Sequence, residues 1–189
     1  MGRRTRVIGL AWTLLAASSL AAGAPPITVA VKRLGFNQVR ITGQAIVQQP
    51  SAVVWRVLTN YDHLHEFIPG LLESRVVAQS PTRLFYQRGQ GRWWIFSHTV
   101  EVTFEIEELP EQEIRFHAIS GDFVQHDGAW RLESTDAGVR ILYDATIHPR
   151  FFLPPILGRR LLKQQLRESL QAIVERVESV SAATASTTP

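Results

Sequence analysis

The chain predicts an α+β domain: a curved antiparallel sheet of about six to seven strands, two short helices after the first strand, and one long C-terminal helix across the concave face. Three observations carry this prediction. Period-two alternation fills the middle of the chain from Leu71 to His148, interrupted by short turn signals. Two brief amphipathic segments precede it, and a single apolar stripe at helical spacing closes the chain.

In order, Val39 to Gln48 alternates through Val39, Ile41 and Ile46 and predicts the first strand, which Pro50-Ser51 ends. Ser51 is placed to cap a helix whose Val54, Trp55 and Leu58 share one face. Asn60 starts a second short helix carrying Tyr61, Leu64, Phe67 and Ile68, and Pro69-Gly70 stops it. Strands then follow, broken at Ser80-Pro81, Gly89 to Gly91, Leu109-Pro110, Gly121-Asp122 and Asp136 to Gly138. The clearest runs from Trp94 to Ile106, where Trp94, Phe96, Val100, Val102, Phe104 and Ile106 alternate with polar residues, so one face is buried and the other wet. Ile114, Phe116 and Ala118 repeat the pattern, as do Val139, Ile141, Tyr143, Ala145 and Ile147. Pro154-Pro155 suits the first turn of a helix. Leu162, Leu166, Leu170, Ile173 and Val177 then form one stripe that must pack on the sheet. Ser181 to Pro189 are small and polar and predict a disordered tail.

Ahead of the domain, Arg3, Arg4 and Arg6 precede an uncharged, Leu- and Ala-rich stretch from Val7 to Ala24, the layout of a secretory signal. Cleavage is expected near Ala21 or Ala24, leaving a domain over residues 25–180. The expected location is periplasmic or secreted; retention as an inner-membrane anchor is the alternative. Arg3-Arg4 raises a twin-arginine route, yet Arg6 and Val7 stand where that signal prefers large apolar residues.

Loss of the leader leaves 17 basic against 17 acidic side chains, so the net charge of +3 belongs to the leader. Nucleic-acid binding needs a clustered basic footprint. Only Arg159, Arg160, Lys163 and Arg167 approach one, and they read as a solvated helix face. There is no cysteine, which excludes disulfides, thiolate catalysis and Cys-type zinc sites.

Two motifs then add to the pattern. Val54-Trp55-Arg56-Val57-Leu58-Thr59-Asn60-Tyr61-Asp62 with Phe67-Ile68-Pro69-Gly70, and Gly121-Asp122-Phe123 with Gly128-Ala129-Trp130-Arg131-Leu132, resemble segments of the polyketide cyclase/dehydrase family of the START-like (SRPBCC) superfamily, which includes the coenzyme Q-binding START proteins. His148-Pro149 followed by Pro154-Pro155 looks like that family's approach to its last helix. The resemblance covers residues 36 to 180 and implies the helix-grip fold, in which a gap between sheet and terminal helix makes an apolar cavity. It implies no single activity, because the family spans carriers and cyclases.

By strand parity, the expected cavity lining is Tyr86, Trp94, Phe96, His98, Val100, Phe116, Trp130 and Tyr143, with Phe67 and Ile68 near the mouth and Leu162 and Leu166 from the helix. His98 stands in an otherwise apolar row. It either meets a quinone or ketone oxygen, or acts as general acid/base, or is a satisfied core histidine bonded to a tyrosine hydroxyl. Tyr86 and Tyr143 carry the same ambiguity. His117 and His126 fall on outward parity and carry little weight. His63 and His65, two apart on a helix, point away from one another and do not suit a shared metal. Arg88 and Arg92 read as an exposed hairpin tip. Ser97 and Ser120 lack an evident histidine partner, and no phosphate loop occurs.

The expected function is therefore an exported binding or carrier protein for an isoprenoid, quinone or polyketide-like molecule, with neither metal nor cofactor and with transient membrane contact. The rivals are a cyclase or dehydratase using His98 and Tyr143, and an envelope interaction module with a filled core.

Overall fold

A computed structural model describes residues 27–93 and 96–185, with the side chains of 91–98 and of 184–185 outside that description. The leader, Trp94 and the side chains of Phe96 and His98 thus lie outside the described residues. Eight strands form one open antiparallel sheet: β1 Thr28–Gly35, β2 Gln38–Val47, β3 Leu71–Ala78, β4 Arg83–Trp93, β5 Phe96–Leu109, β6 Glu113–Gly121, β7 Phe123–Thr135 and β8 Gly138–Pro149. Their order is β1-β2-β8-β7-β6-β5-β4-β3. Helix α1 (Ser51–Leu58) and a 3-10 turn (Tyr61–Glu66) carry the chain from β2 to the far edge, and helix α2 (Leu157–Ala185) follows β8.

The strand the sequence reading lacks is β1. It is an edge strand in which only Val29 is fully buried, and Lys32-Arg33 interrupt its alternation, so its signal is weak. Ser51 does not cap α1: Pro50 holds the cap position and its carbonyl takes the Val53 and Val54 amides, while the Ser51 hydroxyl donates to Glu111 at 2.6 Å. Pro154 and Pro155 lie just ahead of α2, whose Gly158 amide donates to the Pro154 carbonyl at 2.8 Å. At the other end α2 continues past Ser181 to Ala185, and Ser181 donates to Gln49 at 2.6 Å, so the first part of the expected tail is helical.

The inward rows pack as strand alternation requires, except that Ile46 stands on the opposite face of β2 from Val39 and Ile41 and is only partly buried. Val39, Ile41, Ala45 and Val47 of β2 and Val139, Ile141, Ala145 and Ile147 of β8 are all buried. Gly43 is the gap in the first row: a Cβ there would come within 2.8 Å of Leu166 and 2.9 Å of Leu170. The missing side chain lets α2 lie directly on β2, which fixes how close helix and sheet can be.

That contact divides the helical stripe. Leu170, Ile173 and Val177 are wholly buried together with Val47, Val54 and Ile141, forming a solid core between β2, β8, α1 and the C-terminal half of α2. Toward its N-terminus the helix stands off from strands β4 to β7, and there the interior is open.

Candidate functional site

The open region is a cavity of about 320 Å³, within the range of pockets that hold small organic ligands. Its floor is made by Val100, Val102, Phe104 and Ile106 of β5, Ile114 and Phe116 of β6, and Trp130 and Tyr143 of β7 and β8. Leu161, Leu162, Gln165, Leu166 and Ser169 of α2 roof it. It reaches the surface where Ile68, Pro69, Gly70 and Gly89 face the start of α2, Pro69 and Gly70 being exposed. Gly70 turns the chain there at φ 80°, and its carbonyl accepts the Gln90 amide at 2.7 Å.

Of the residues named from sequence, Ile68, Val100, Phe116, Trp130, Tyr143, Leu162 and Leu166 line this cavity. Two do not. Tyr86 faces outward on β4, where the Arg75 guanidinium lies 4.9 Å from its ring and Glu101 raises its hydroxyl pKa behind a larger effect of desolvation. Its neighbour Phe85, 4 % exposed, is the inward residue, one position out of phase with the expectation. β4 pairs with β5 without a break, Phe85 opposite Phe104 and Tyr86 opposite Thr103, so the even-numbered inward row of β5 becomes odd-numbered across the hairpin. Phe67 packs against the core beside α2 with Arg176 over its ring at 5.6 Å, outside the cavity lining.

His126 corrects the sequence reading in the other direction. Its ring lies between Phe104, Phe116 and Phe123, at centroid distances of 5.0, 5.6 and 4.8 Å. Counted by twos from Phe123 it would point outward. A register shift between Phe123 and Gln125 moves the phase by one, so both Phe123 and His126 face in. The available signal was Trp130, four residues on and on the same side of the strand. What remains uncovered of the imidazole faces the cavity.

Burial accordingly pushes the His126 pKa down to about 4, against a small opposing effect of Asp127. Its Nδ1 is fully enclosed and has no hydrogen-bond partner, and its Nε2 lies 3.4 Å from the Tyr143 hydroxyl, a long contact. Burial also raises the Tyr143 pKa well above the usual phenol value. Phe116 and Trp130 hold that ring at 5.9 and 4.6 Å. Gly128, between His126 and Trp130, makes room for Phe116, whose ring edge would lie 2.7 Å from an added Cβ.

The result is an apolar chamber with one neutral polar pair on its floor. No lining residue among those described carries a carboxylate, ammonium or guanidinium. The third tyrosine, Tyr61, is already committed: its hydroxyl donates to Glu108 at 2.7 Å, and Glu108 is in turn paired with Arg83. A second, weaker polar zone at the mouth comprises Gln87, Gln165 and Ser169.

Three of the other histidines have local partners. His63 meets Glu66 at 2.7 Å, His65 meets Ser74 at 3.0 Å, and His117 meets Asp127 at 2.6 Å on the outer face. No cluster able to hold a metal occurs among the described residues. Arg88 pairs with Glu73 at 3.2 Å.

With the chamber and its walls in place, comparison with known proteins is decisive for the family. The model of the polyketide cyclase / dehydrase and lipid transport family matches residues 47–174, which include α1, the mouth, the sheet from β3 to β8 and most of α2. The chain belongs to that family. Members of the START superfamily share its architecture. A STAR-related lipid transfer protein fragment from Xanthomonas axonopodis is similar at 18 % identity and TM-score 0.65, covering 80 % of this chain and 93 % of that one. TTHA0849 from Thermus thermophilus is similar at 21 % identity and TM-score 0.62, covering 75 % and 99 %. The Zhui aromatase/cyclase from Streptomyces sp. R1128 follows at 14 % and 0.59, covering 74 % and 91 %. At these identities the likeness concerns the fold. No curated protein matches the chain.

Proposed function

We propose that this polyketide cyclase/dehydrase and lipid transport family member is an exported binding or carrier protein for an uncharged hydrophobic molecule of the isoprenoid, quinone or polyketide kind. The observation that carries the reading is the chamber itself: apolar walls, no charged lining group, and a single neutral His126–Tyr143 pair to receive an oxygen of the ligand. Burying a charged head among these walls would be costly, whereas a carbonyl or hydroxyl would take up the Tyr143 hydroxyl, whose contact with His126 Nε2 is long at 3.4 Å. The signal-like leader supports export.

Native mass spectrometry of protein purified from its own host tests this, together with displacement of a fluorescent apolar probe. A copurified adduct and probe binding at micromolar concentration are expected. Val100→Trp, which fills the chamber, should abolish both, and Tyr86→Phe on the outer face should alter neither. Ligand-free mass with no probe binding would sink the carrier reading. Consumption of the bound molecule, lost in Tyr143→Phe, would establish the cyclase alternative in its place.

A further inference from the structure

The cavity mouth lies beside an exposed surface that the ligand site does not explain. Register places the two at one end of the sheet: Leu71 pairs with Gly89, Gly89 with Val100, Val102 with Gly121, Phe123 with Pro149, and Ile147 with Val39. Beyond these pairs project the β1–β2 tip and the connection from β8 to α2. Asn37 ties one to the other, its amide donating to the Pro149 and Phe151 carbonyls at 2.9 and 2.7 Å and its carbonyl accepting the Leu153 amide at 2.7 Å.

This braced platform alternates between cavity and solvent. Phe151 and Leu153 point into the chamber, while Phe36, Phe152, Ile156 and Leu157 are 76, 63, 74 and 50 % exposed. The Phe36 and Phe152 rings lie 6.4 Å apart. Four large apolar side chains held out together are unusual on a soluble surface.

Charge shows what covers them. From Pro25 to Tyr61 and from Ala145 to Arg167 the chain has no aspartate or glutamate. Exposed Lys32, Arg33, Arg150, Arg159, Arg160 and Lys163 lie in those two stretches, and none is ion-paired among the described residues. Arg33 and Arg159 share one shallow groove with Phe36 and Phe152. The adjoining β6–β7 turn contributes one acid, Asp122, whose carboxylate is taken by the Glu101 amide at 2.8 Å. In a domain with equal numbers of acids and bases, the two stretches that carry the apolar prongs are basic throughout, and two of their arginines stand beside Phe36 and Phe152.

We infer that this end of the molecule docks on an anionic phospholipid bilayer, with Phe36, Phe152, Ile156 and Leu157 entering the interface and the arginines and lysines of the same stretches meeting lipid phosphates. Apolar prongs beside cations are the chemistry that binds such a surface. Because Phe151 and Leu153 wall the chamber from the same connection, docking would bring the mouth to the membrane; that consequence rests on the carrier reading, but the docking does not.

Flotation with vesicles of phosphatidylcholine, alone or mixed with phosphatidylglycerol, tests it. The full mature chain should bind the mixed vesicles and be released by high salt. The pair Arg33→Gln/Arg159→Gln should weaken binding by roughly fivefold per charge, and Phe36→Ser/Phe152→Ser should weaken it at every salt concentration. All four positions are exposed, so thermal melts should match those of the parent. Binding to neither vesicle, equal binding to both, or unchanged binding by both variants would overturn the inference. Apolar-probe binding in vesicle-free buffer separates the two ideas: probe binding retained in variants that lose vesicles supports both, and loss of the probe in the parent chain removes the carrier reading alone.

Discussion

Lowering the pH from 7 to 5 should destabilise this protein through His126, and replacing that residue should remove that contribution. An exposed histidine has a pKa of 6.5, whereas folding pushes His126 down to about 4. Between those values the unfolded chain binds a proton that the native state refuses, so stability falls as the pH drops and is unaffected above 6.5. The full gap is worth about 3 kcal/mol, of which about 2 kcal/mol is lost between pH 7 and pH 5. Urea unfolding followed by tryptophan fluorescence at the two pH values is the assay. With a urea dependence of roughly 2 kcal/mol per molar, the parent midpoint should drop by about 1 M more than that of His126→Phe. At pH 7 the variant should be as stable as the parent or more so, because an enclosed, unpartnered nitrogen is removed, yet its probe affinity should fall. Equal pH dependence in parent and variant would refute the burial argument. A large loss of stability at pH 7 would mean that the histidine is a structural element.

Two further predictions probe the scaffold. Gly43→Ala should cost about 1–3 kcal/mol of stability in the same urea assay, since its Cβ would press on Leu166 and Leu170 and lift α2 from β2. Asn37, at φ 55°, distinguishes conformation from bonding: Asn37→Gly keeps the turn but loses three hydrogen bonds, while Asn37→Ala adds about 1 kcal/mol of left-handed strain. Thermal melts of the two variants should therefore rank Ala below Gly, both below the parent.

The candidate site was only partly legible. Val100, Phe116, Trp130 and Tyr143 sit where period-two counting put them because each lies in a stretch of strand whose local pairing is unbroken, Val100 with Gly89, Phe116 with Ile106 and Trp130 with Tyr143. Tyr86 and His126 are misassigned by the same counting, since the phase depends on pairings with other strands: the β4–β5 hairpin sets Phe85 rather than Tyr86 opposite Phe104, and the shift between Phe123 and Gln125 against β8 turns His126 inward. Phe67 has the right composition for a mouth residue, but its ring is drawn aside to Arg176 on a helix more than a hundred positions along the chain. Local pattern contains nothing of that.

Alternation, turn residues and the terminal stripe were enough to establish an antiparallel sheet gripped by a helix, because each depends on neighbours two to four positions away. The overall charge balance and the absence of cysteine were equally plain from composition. Tertiary structure alone decided that the stripe would be half core and half roof, since that turns on how closely α2 approaches β2 at Gly43. It also brought His126 to Tyr143, and Phe36 to Phe152, from segments 17 and 116 residues apart. Pairings of that separation are set by strand order and register, which no stretch of chain encodes by itself.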